Sequence, residues 1–154
     1  MTFDDECMRQ ALEQALYAAS SNEVPVGAVI VHRLNKEVIA KSHNKIETER
    51  NPTAHAELLA INAACKLLGN KNLAEYDLYV TLEPCAMCAA AIAHSRIGRV
   101  FYGASDYKMG AIENGVRFFT SHTCHHHPEI YLGIMAEESE KLLKDFFKKL
   151  VNVG

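Results

Sequence analysis

Short apolar segments rich in β-branched residues alternate with longer segments of helical periodicity, and this alternation restricts the fold of the chain more than any other feature. Residues 24–31 and 38–40 are apolar and flank a polar stretch, which predicts a β-hairpin. Further strands are predicted at 78–82, 99–102 and 130–132. Helices are predicted at 4–20, 51–68, 84–95 and 136–150.

The residues near the helix ends indicate where these helices begin and stop. Acidic residues occupy the first turn of the helix at 4–20, where they suit the helix dipole. Asn51 or Thr53 is predicted to cap the helix at 51–68, and Gly69 is predicted to end it. Residues 103–128 combine glycines with a polar cluster, so they are predicted to be irregular, with room for one short helix.

A hairpin followed by alternating helices and strands predicts an α/β fold with a five-stranded mixed sheet and helices on both faces. The expected architecture is a three-layer α/β/α sandwich. Because 154 residues is the length of one typical domain, residues 1–154 are expected to form a single domain.

The charge balance and the cysteine count restrict which binding partners and which cellular compartment are expected for this chain. The chain carries 16 Lys and Arg against 19 Asp and Glu, so no strong overall field attracts it to nucleic acid. An RNA partner would need a local basic patch, and no DNA partner is expected. An acidic start without any apolar run of about 18 residues predicts a soluble cytoplasmic protein without a presequence or membrane span. Five cysteines in such a chain favour metal or redox chemistry over a disulfide framework.

Two short motifs place metal-binding side chains at the starts of two predicted helices. They are His55-x-Glu57 and Pro84-Cys85-x-x-Cys88. The two cysteines are three residues apart and lie one above the other on a helix face, so one imidazole and two thiolates can bind one zinc ion. Three protein ligands leave the fourth tetrahedral position open for water, which predicts a catalytic zinc.

Glu57 is predicted to be the base beside that water. Two thiolates and a neutral imidazole cancel the +2 charge of zinc, so the bound water is acidified only weakly and needs a base. Glu57 would take a proton from the water and deliver it to a ring nitrogen and to the departing amine. Residues two apart lie about 200° apart around a helix, so His55 and Glu57 can share a site only near the helix tip.

The order His-x-Glu followed by Pro-Cys-x-x-Cys resembles the signature of zinc-dependent nucleobase deaminases. Over nearly its whole length the chain is similar to the bacterial tRNA-specific adenosine deaminases, a family of the cytidine and deoxycytidylate deaminase superfamily. The segments that carry this resemblance are 25–29, 43–44, 52–57, 81–90, 94–100 and 146–147.

The resemblance implies conversion of adenosine to inosine at the wobble position of an arginine tRNA anticodon, by a homodimer that flips the base into a zinc pocket. It implies one zinc ion per chain, with His55, Cys85 and Cys88 as ligands. It also implies that Glu57 is the proton shuttle and that Asn44 contacts the substrate near the mouth of the pocket.

The resemblance further implies contacts with the anticodon stem-loop. Asp106 and Lys108 match a loop that lies beside the anticodon backbone, and Phe146 and Phe147 match aromatic positions that line the RNA site. Helical spacing by itself would place both phenylalanines in the core, so the assignment of these two residues depends on the resemblance alone.

Two other functions stay open at the level of sequence. A deaminase of a free base or nucleoside, of the guanine or cytosine type, would suit the near-neutral charge. A non-catalytic zinc module would need a fourth protein ligand, drawn from Cys124 or from residues 125–127.

Glu83 could compete with Glu57 as an acid, although a buried partner for backbone donors is the favoured interpretation. Cys65 is interpreted as a small core residue.

Overall fold

Five strands form a mixed sheet. The computed structural model describes residues 1–153, the last two by their backbone alone. The strands are β1 (Gly27–His32), β2 (Val38–His43), β3 (Tyr76–Leu82), β4 (Arg99–Ala104) and β5 (Glu129–Leu132). They are ordered β2-β1-β3-β4-β5, with β1 antiparallel to both of its neighbours and β3, β4 and β5 parallel to one another. The predicted hairpin and five-stranded mixed sheet are therefore confirmed.

Helices cover both faces of this sheet. They are α1 (Phe3–Ser20), α2 (Ile46–Glu49), α3 (Ala56–Leu68), α4 (Ala86–Ser95) and α5 (Ala136–Val153), and a single 3-10 turn spans Phe118–Thr120. On one face, α1 and the start of α5 pack around Met8, Val29 and Phe101. On the other face, α3 and α4 pack around Ala60 and Leu78. The expected three-layer α/β/α sandwich is confirmed.

Small residues allow α1 and α3 to approach the sheet closely. A Cβ atom at Gly27 in β1 would lie 1.9 Å from the carbonyl oxygen of Ala11 in α1, so no larger residue fits there. Ala60 and Ala64 of α3 are fully buried. The helical periodicity of residues 51–68 assigns Leu67 to the apolar side as well, but Leu67 is 67% exposed. The helices therefore pack on the sheet through alanine and glycine, instead of through the leucine side chains that periodicity alone predicts.

The start of α3 differs from the prediction. This helix begins at Ala56, five residues later than expected, and neither Asn51 nor Thr53 caps it. Asn51 Oδ1 instead accepts hydrogen bonds from the backbone N and Oγ1 of Thr53. The backbone N of Ala56 donates to Oδ1 of Asn44, 12 residues earlier, at 2.9 Å. The predicted start was wrong because this cap comes from outside the local sequence.

The other boundaries agree with the prediction to within a few residues. Helix α4 begins at Ala86 instead of residue 84, and α5 continues to Val153 instead of ending at residue 150. Residues 103–128 are irregular apart from the end of β4 and the 3-10 turn, as predicted. None of the helices within residues 1–153 is both long and apolar enough to cross a membrane.

Candidate active site

The first residues of α3 and α4 lie next to each other, and each helix is preceded by a metal-binding side chain. His55 is the N-cap residue of α3 and Cys85 is the N-cap residue of α4, both with extended backbone. Neither side chain caps its own helix, so the imidazole and the thiol are available for other partners. Cys88 follows in the first turn of α4, on the same side as Cys85.

The imidazole of His55 and the thiols of Cys85 and Cys88 form a compact cluster. His55 Nδ1 lies 3.7 Å from Cys85 Sγ and 3.6 Å from Cys88 Sγ, and the three donor atoms lie within 4.8 Å of one another. Tetrahedral zinc, with Zn–N of about 2.0 Å and Zn–S of about 2.3 Å, separates such ligands by roughly 3.5 Å. The donor types and their spacing therefore fit zinc. Within residues 1–153, no fourth His, Cys, Asp or Glu joins this cluster.

Hydrogen bonding inside the cluster shifts the pKa values of the two thiols in opposite directions. The pKa of Cys85 is lowered to about 4, chiefly by the hydrogen bond from Cys88 and, against the effect of burial, by His55. The pKa of Cys88 is raised, first because it shares that hydrogen bond with Cys85 and then by burial. The pKa of His55 is also raised, chiefly by its hydrogen bond with Cys85. The lowered pKa of Cys85 favours its thiolate form, and zinc binding would displace the remaining protons.

Glu57 lies in the first turn of α3, two residues after His55, and its side chain is only 4% exposed. Burial raises its pKa to about 7. Because His55 precedes the helix instead of lying within it, both side chains line the same cavity. A carboxyl group with a pKa near neutrality can both accept and donate a proton, as general acid–base catalysis requires.

His55, Glu57 and Cys85 line a cavity of about 240 Å³, here called the inner cavity. Its other walls are largely apolar and consist of Val24, Val26, Asn44, Ile46, Leu82, Glu83, Asp106 and Met109. A wider space of about 570 Å³, here called the outer groove, shares four of these residues: Val24, Leu82, Asp106 and Met109. Apolar walls around a few polar groups are typical of sites for small organic molecules.

The residues predicted to contact the substrate are divided between three places. Asn44 and Asp106 line the inner cavity, and Lys108 and Phe147 line the outer groove together with Asp106. Phe146 instead lines a separate pocket between α1 and α5. Successive residues of a helix point about 100° apart, so the two adjacent phenylalanines face different sides of α5.

Asn44 and Asp106 also hold the backbone in place. Asn44 accepts from the backbone N of Ala56 and donates from Nδ2 to the carbonyl oxygen of Val24 at 3.1 Å, so it joins α3 to the segment before β1. Oδ1 of Asp106 accepts hydrogen bonds from the backbone N–H groups two and three residues later, at 3.1 and 3.0 Å. These hydrogen bonds fix the wall of the inner cavity.

Glu83 organises the loop that follows β4. Its carboxylate is 2% exposed and is surrounded by donors. It accepts hydrogen bonds from the backbone N of Asp106, Ile112, Glu113 and Asn114, and from the side chain of Asn114. Burial alone would raise its pKa, but these hydrogen bonds outweigh burial and lower it. The expectation that Glu83 serves backbone donors is confirmed.

Glu23 performs a similar task for α2, and the sequence analysis missed it. Its side chain is 1% exposed and accepts hydrogen bonds from the backbone N of Glu47 at 3.1 Å and from the backbone N and Oγ1 of Thr48 at 2.7 Å. It therefore anchors the short helix whose Ile46 lines the inner cavity. The available signal was an acidic residue directly before the buried segment that begins near Val24.

We expect Glu23→Gln to lower the free energy of unfolding by about 2 kcal/mol at neutral pH, because hydrogen bonds to a buried charged group are lost. Burial alone would raise the pKa of Glu23, but the hydrogen bonds from Thr48 and Glu47 lower it below 4.5. A carboxyl with a lowered pKa stabilises the fold above the unfolded-state pKa and stops doing so as the pH falls through the folded-state pKa. The destabilisation should therefore be full at neutral pH and shrink below pH 4.5.

Urea denaturation of the variant and the wild type at several pH values measures this difference. Glu13→Gln, at an exposed position of α1, is the matched control and should change stability by less than about 0.5 kcal/mol. A difference between Glu23→Gln and wild type that is equally large at acidic and neutral pH would contradict the ionic origin of the effect.

A family comparison defines the class of protein to which this geometry belongs. The family described as the cytidine and deoxycytidylate deaminase zinc-binding region matches residues 1–104, which include His55, Glu57, Cys85 and Cys88. The fold and the site together are those of a zinc-dependent deaminase, a hydrolytic enzyme with zinc as its cofactor.

Relatives of nearly equal length narrow this class. The tRNA-specific adenosine deaminase of Rickettsia bellii (strain RML369-C) is 62% identical over 143 residues, which cover 93% of this chain and 99% of the relative. A solved structure from a study of A-to-I editing by tRNA:A34 deaminases at the wobble position of transfer RNA is 51% identical, with a TM-score of 0.86, and the match covers 90% of this chain and 99% of that chain. The chain belongs to the tRNA-specific adenosine deaminases.

A more distant structure shares the fold alone. The guanine deaminase from Nitrosomonas europaea is 20% identical, with a TM-score of 0.81, over 92% of this chain and 83% of that chain. The architecture is therefore common to deaminases of different bases, and the substrate has to be inferred from the closer relatives and from the residues around the inner cavity.

Proposed function

We propose that this protein deaminates adenosine to inosine at the wobble position of a tRNA anticodon, with an arginine tRNA as the substrate. The observation that carries the proposal is the identity of 62% and 51%, over nearly the full length, with a tRNA-specific adenosine deaminase and a tRNA:A34 deaminase. An inner cavity with an adjoining outer groove supports it, because one base must enter the site while the rest of the RNA stays outside.

Three side chains of the cluster are proposed as the metal ligands. His55 through Nδ1 and Cys85 and Cys88 through Sγ would hold one zinc ion per chain. Zinc bound there would supply an activated water for hydrolysis. The inner cavity admits the base beside the cluster and keeps its surroundings largely apolar.

Glu57 is proposed to move the protons of the reaction. Hydrolysis adds water at C6 of adenine and releases the exocyclic amine, so a proton must leave the water and protons must reach the ring and the amine. The carboxylate of Glu57 accepts one proton from the water and gives it to a ring nitrogen. It then accepts the second proton from the hydroxyl group now bonded to C6 and gives it to the departing amine, which leaves as ammonia. Its burial and its pKa of about 7 support both halves of this cycle.

The RNA contacts are proposed from the lining of the outer groove. Lys108 provides positive charge for a phosphate in a chain whose net charge is −3, and Asp106 orders the backbone of that loop. Phe147 is 49% exposed and presents a ring to the groove, while Phe146 supports it edge-to-face with 5.4 Å between ring centroids. Asn44 has one remaining donor hydrogen and one remaining lone pair for the substrate.

Three further properties are proposed together with this function. The chain acts as a homodimer, as the resemblance implies, and sedimentation velocity tests this assembly. Residues 1–154 act as one domain, since the strands of the sheet are drawn from most of its length. A cytoplasmic location follows from a tRNA substrate.

An anticodon stem-loop with adenosine at the wobble position tests the proposed function. We expect inosine to accumulate in the stem-loop after incubation with the zinc-loaded protein, as measured by digestion to nucleosides and chromatography. A stem-loop that carries its adenosine at a neighbouring loop position is the matched control and should stay unconverted. Turnover of free guanine or cytidine without any inosine in the stem-loop would overturn the proposal and favour a deaminase of free bases or nucleosides.

A further inference from the structure

Tyr107 is a large aromatic side chain that is 84% exposed next to the inner cavity. Its backbone is nevertheless held firmly, because the preceding residue, Asp106, is bound on both sides. The backbone N of Asp106 donates to Glu83, and its Oδ1 accepts from the backbone N of Lys108 and Met109. The loop therefore presents an exposed ring from a fixed backbone position.

This ring lies where an RNA substrate would have to pass. Tyr107 lines the outer groove, which Lys108 and Phe147 also line. The groove adjoins the inner cavity, and the two share lining residues, among them Asp106 and Met109. A nucleotide adjacent to the base in the inner cavity would lie in this groove, since the two spaces adjoin each other.

A base that leaves its stack to enter an enzyme deprives its neighbours of a stacking partner. An exposed aromatic ring can replace the lost partner, because every nucleobase has a π-face that stacks on aromatic side chains. A lysine beside the ring can bind the phosphate that links the two nucleotides. Tyr107 and its neighbour Lys108 provide both elements.

We propose that Tyr107 is the stacking platform for a nucleotide that flanks the deaminated adenosine in the RNA. This inference rests on the proposed function and adds a residue that recognises single-stranded RNA beside the reacting base. The hydroxyl group is not needed for stacking, so the aromatic ring is the active part of the side chain. Free adenosine has no flanking nucleotide, so this contact does not contribute to its binding.

Kinetics with the stem-loop test the inference. We expect Tyr107→Ala to lower kcat/KM for the stem-loop roughly 5- to 150-fold, mostly through a higher KM, because one base–aromatic stack is lost. Tyr107→Phe should restore most of this loss. Tyr17→Ala, which removes a ring that is 59% exposed on α1 and lines neither space, is the matched control and should behave like the wild type. Because Tyr107 is so exposed, thermal unfolding of the alanine variant should be unchanged.

Fluorescence detects the stack directly. A stem-loop with 2-aminopurine in place of the flanking nucleotide should be quenched further on binding the wild type or Tyr107→Phe, and not on binding Tyr107→Ala. A wild type that forms no inosine would overturn the proposed function. A wild type that forms inosine while Tyr107→Ala keeps its KM and its quenching would overturn the inference alone. A shift of Tyr107→Ala from dimer to monomer in sedimentation, with KM unchanged, would equally overturn it.

Discussion

Replacing Glu57 by glutamine is expected to lower deamination by about 10²- to 10⁴-fold while the zinc content stays at one ion per chain. The amide has nearly the same shape as the carboxyl group but cannot accept a proton from water. The zinc is retained because Glu57 does not belong to the cluster formed by His55, Cys85 and Cys88. Single-turnover assays with the stem-loop and metal analysis of the same preparation measure both quantities.

The same variant separates a chemical role from a structural one. Glu57 is 4% exposed, and burial disfavours its charged form. A neutral glutamine at this position avoids the cost of burying a charge, so we expect thermal stability to be at least that of the wild type. Glu13→Gln, on the exposed side of α1, serves as the control and should keep full activity. Unchanged turnover in Glu57→Gln would remove this residue from the mechanism, and loss of zinc would make it a ligand.

Replacing either cysteine of the cluster by serine is expected to remove both metal and activity. Cys85→Ser and Cys88→Ser each leave two of the three protein donors, and a serine hydroxyl is a poor substitute for a thiolate on zinc. Loss of a residue that merely orients a ligand costs about 10- to 100-fold in affinity or activity, so loss of a ligand should exceed 100-fold. Zinc analysis after extensive dialysis and stem-loop turnover test this prediction.

Cys124→Ser provides the matched control for these two variants. Cys124 is buried, as Cys88 is, but its Sγ donates to the carbonyl oxygen of His126 at 3.1 Å, a contact that serine can keep. It lies outside the metal-binding cluster. We expect this variant to retain one zinc per chain and full turnover. Loss of zinc from Cys124→Ser, or retention of full zinc by Cys88→Ser, would favour the non-catalytic module with four protein ligands.

Cys124 and the histidines that follow it show that a sequence motif alone does not establish a metal ligand. The run of histidines at 125–127 offered a fourth zinc ligand by residue type alone. In the fold, His126 Nε2 contacts the carbonyl oxygen of Ile97 at 2.6 Å, and His125 lines a separate pocket of about 140 Å³. The residue type indicates which side-chain atoms can bind a metal, whereas the tertiary structure determines which of these atoms lie close together.

Aromatic and acidic residues show the same dependence on long-range contacts. Phe146 and Phe147 are neighbours in sequence, yet the position of α5 against the rest of the fold directs only Phe147 to the outer groove. Glu23 has no motif around it and becomes important because α2 lies 24 residues later and presents its backbone N–H groups to it. Tyr107 likewise has no signal beyond its place between Asp106 and Lys108.

Local patterns determined the order and type of the elements other than the short helix α2, since periodicity and β-branched content depend only on neighbouring residues. They also predicted that His55, Cys85 and Cys88 come together at two helix starts with Glu57 nearby, and the structure has this arrangement. The tertiary structure decided the start of α3, which Asn44 caps from 12 residues away, and the exposure of Leu67. It also decided which side chains surround the substrate, because those contacts join segments that are distant along the chain and become neighbours only when the sheet has formed.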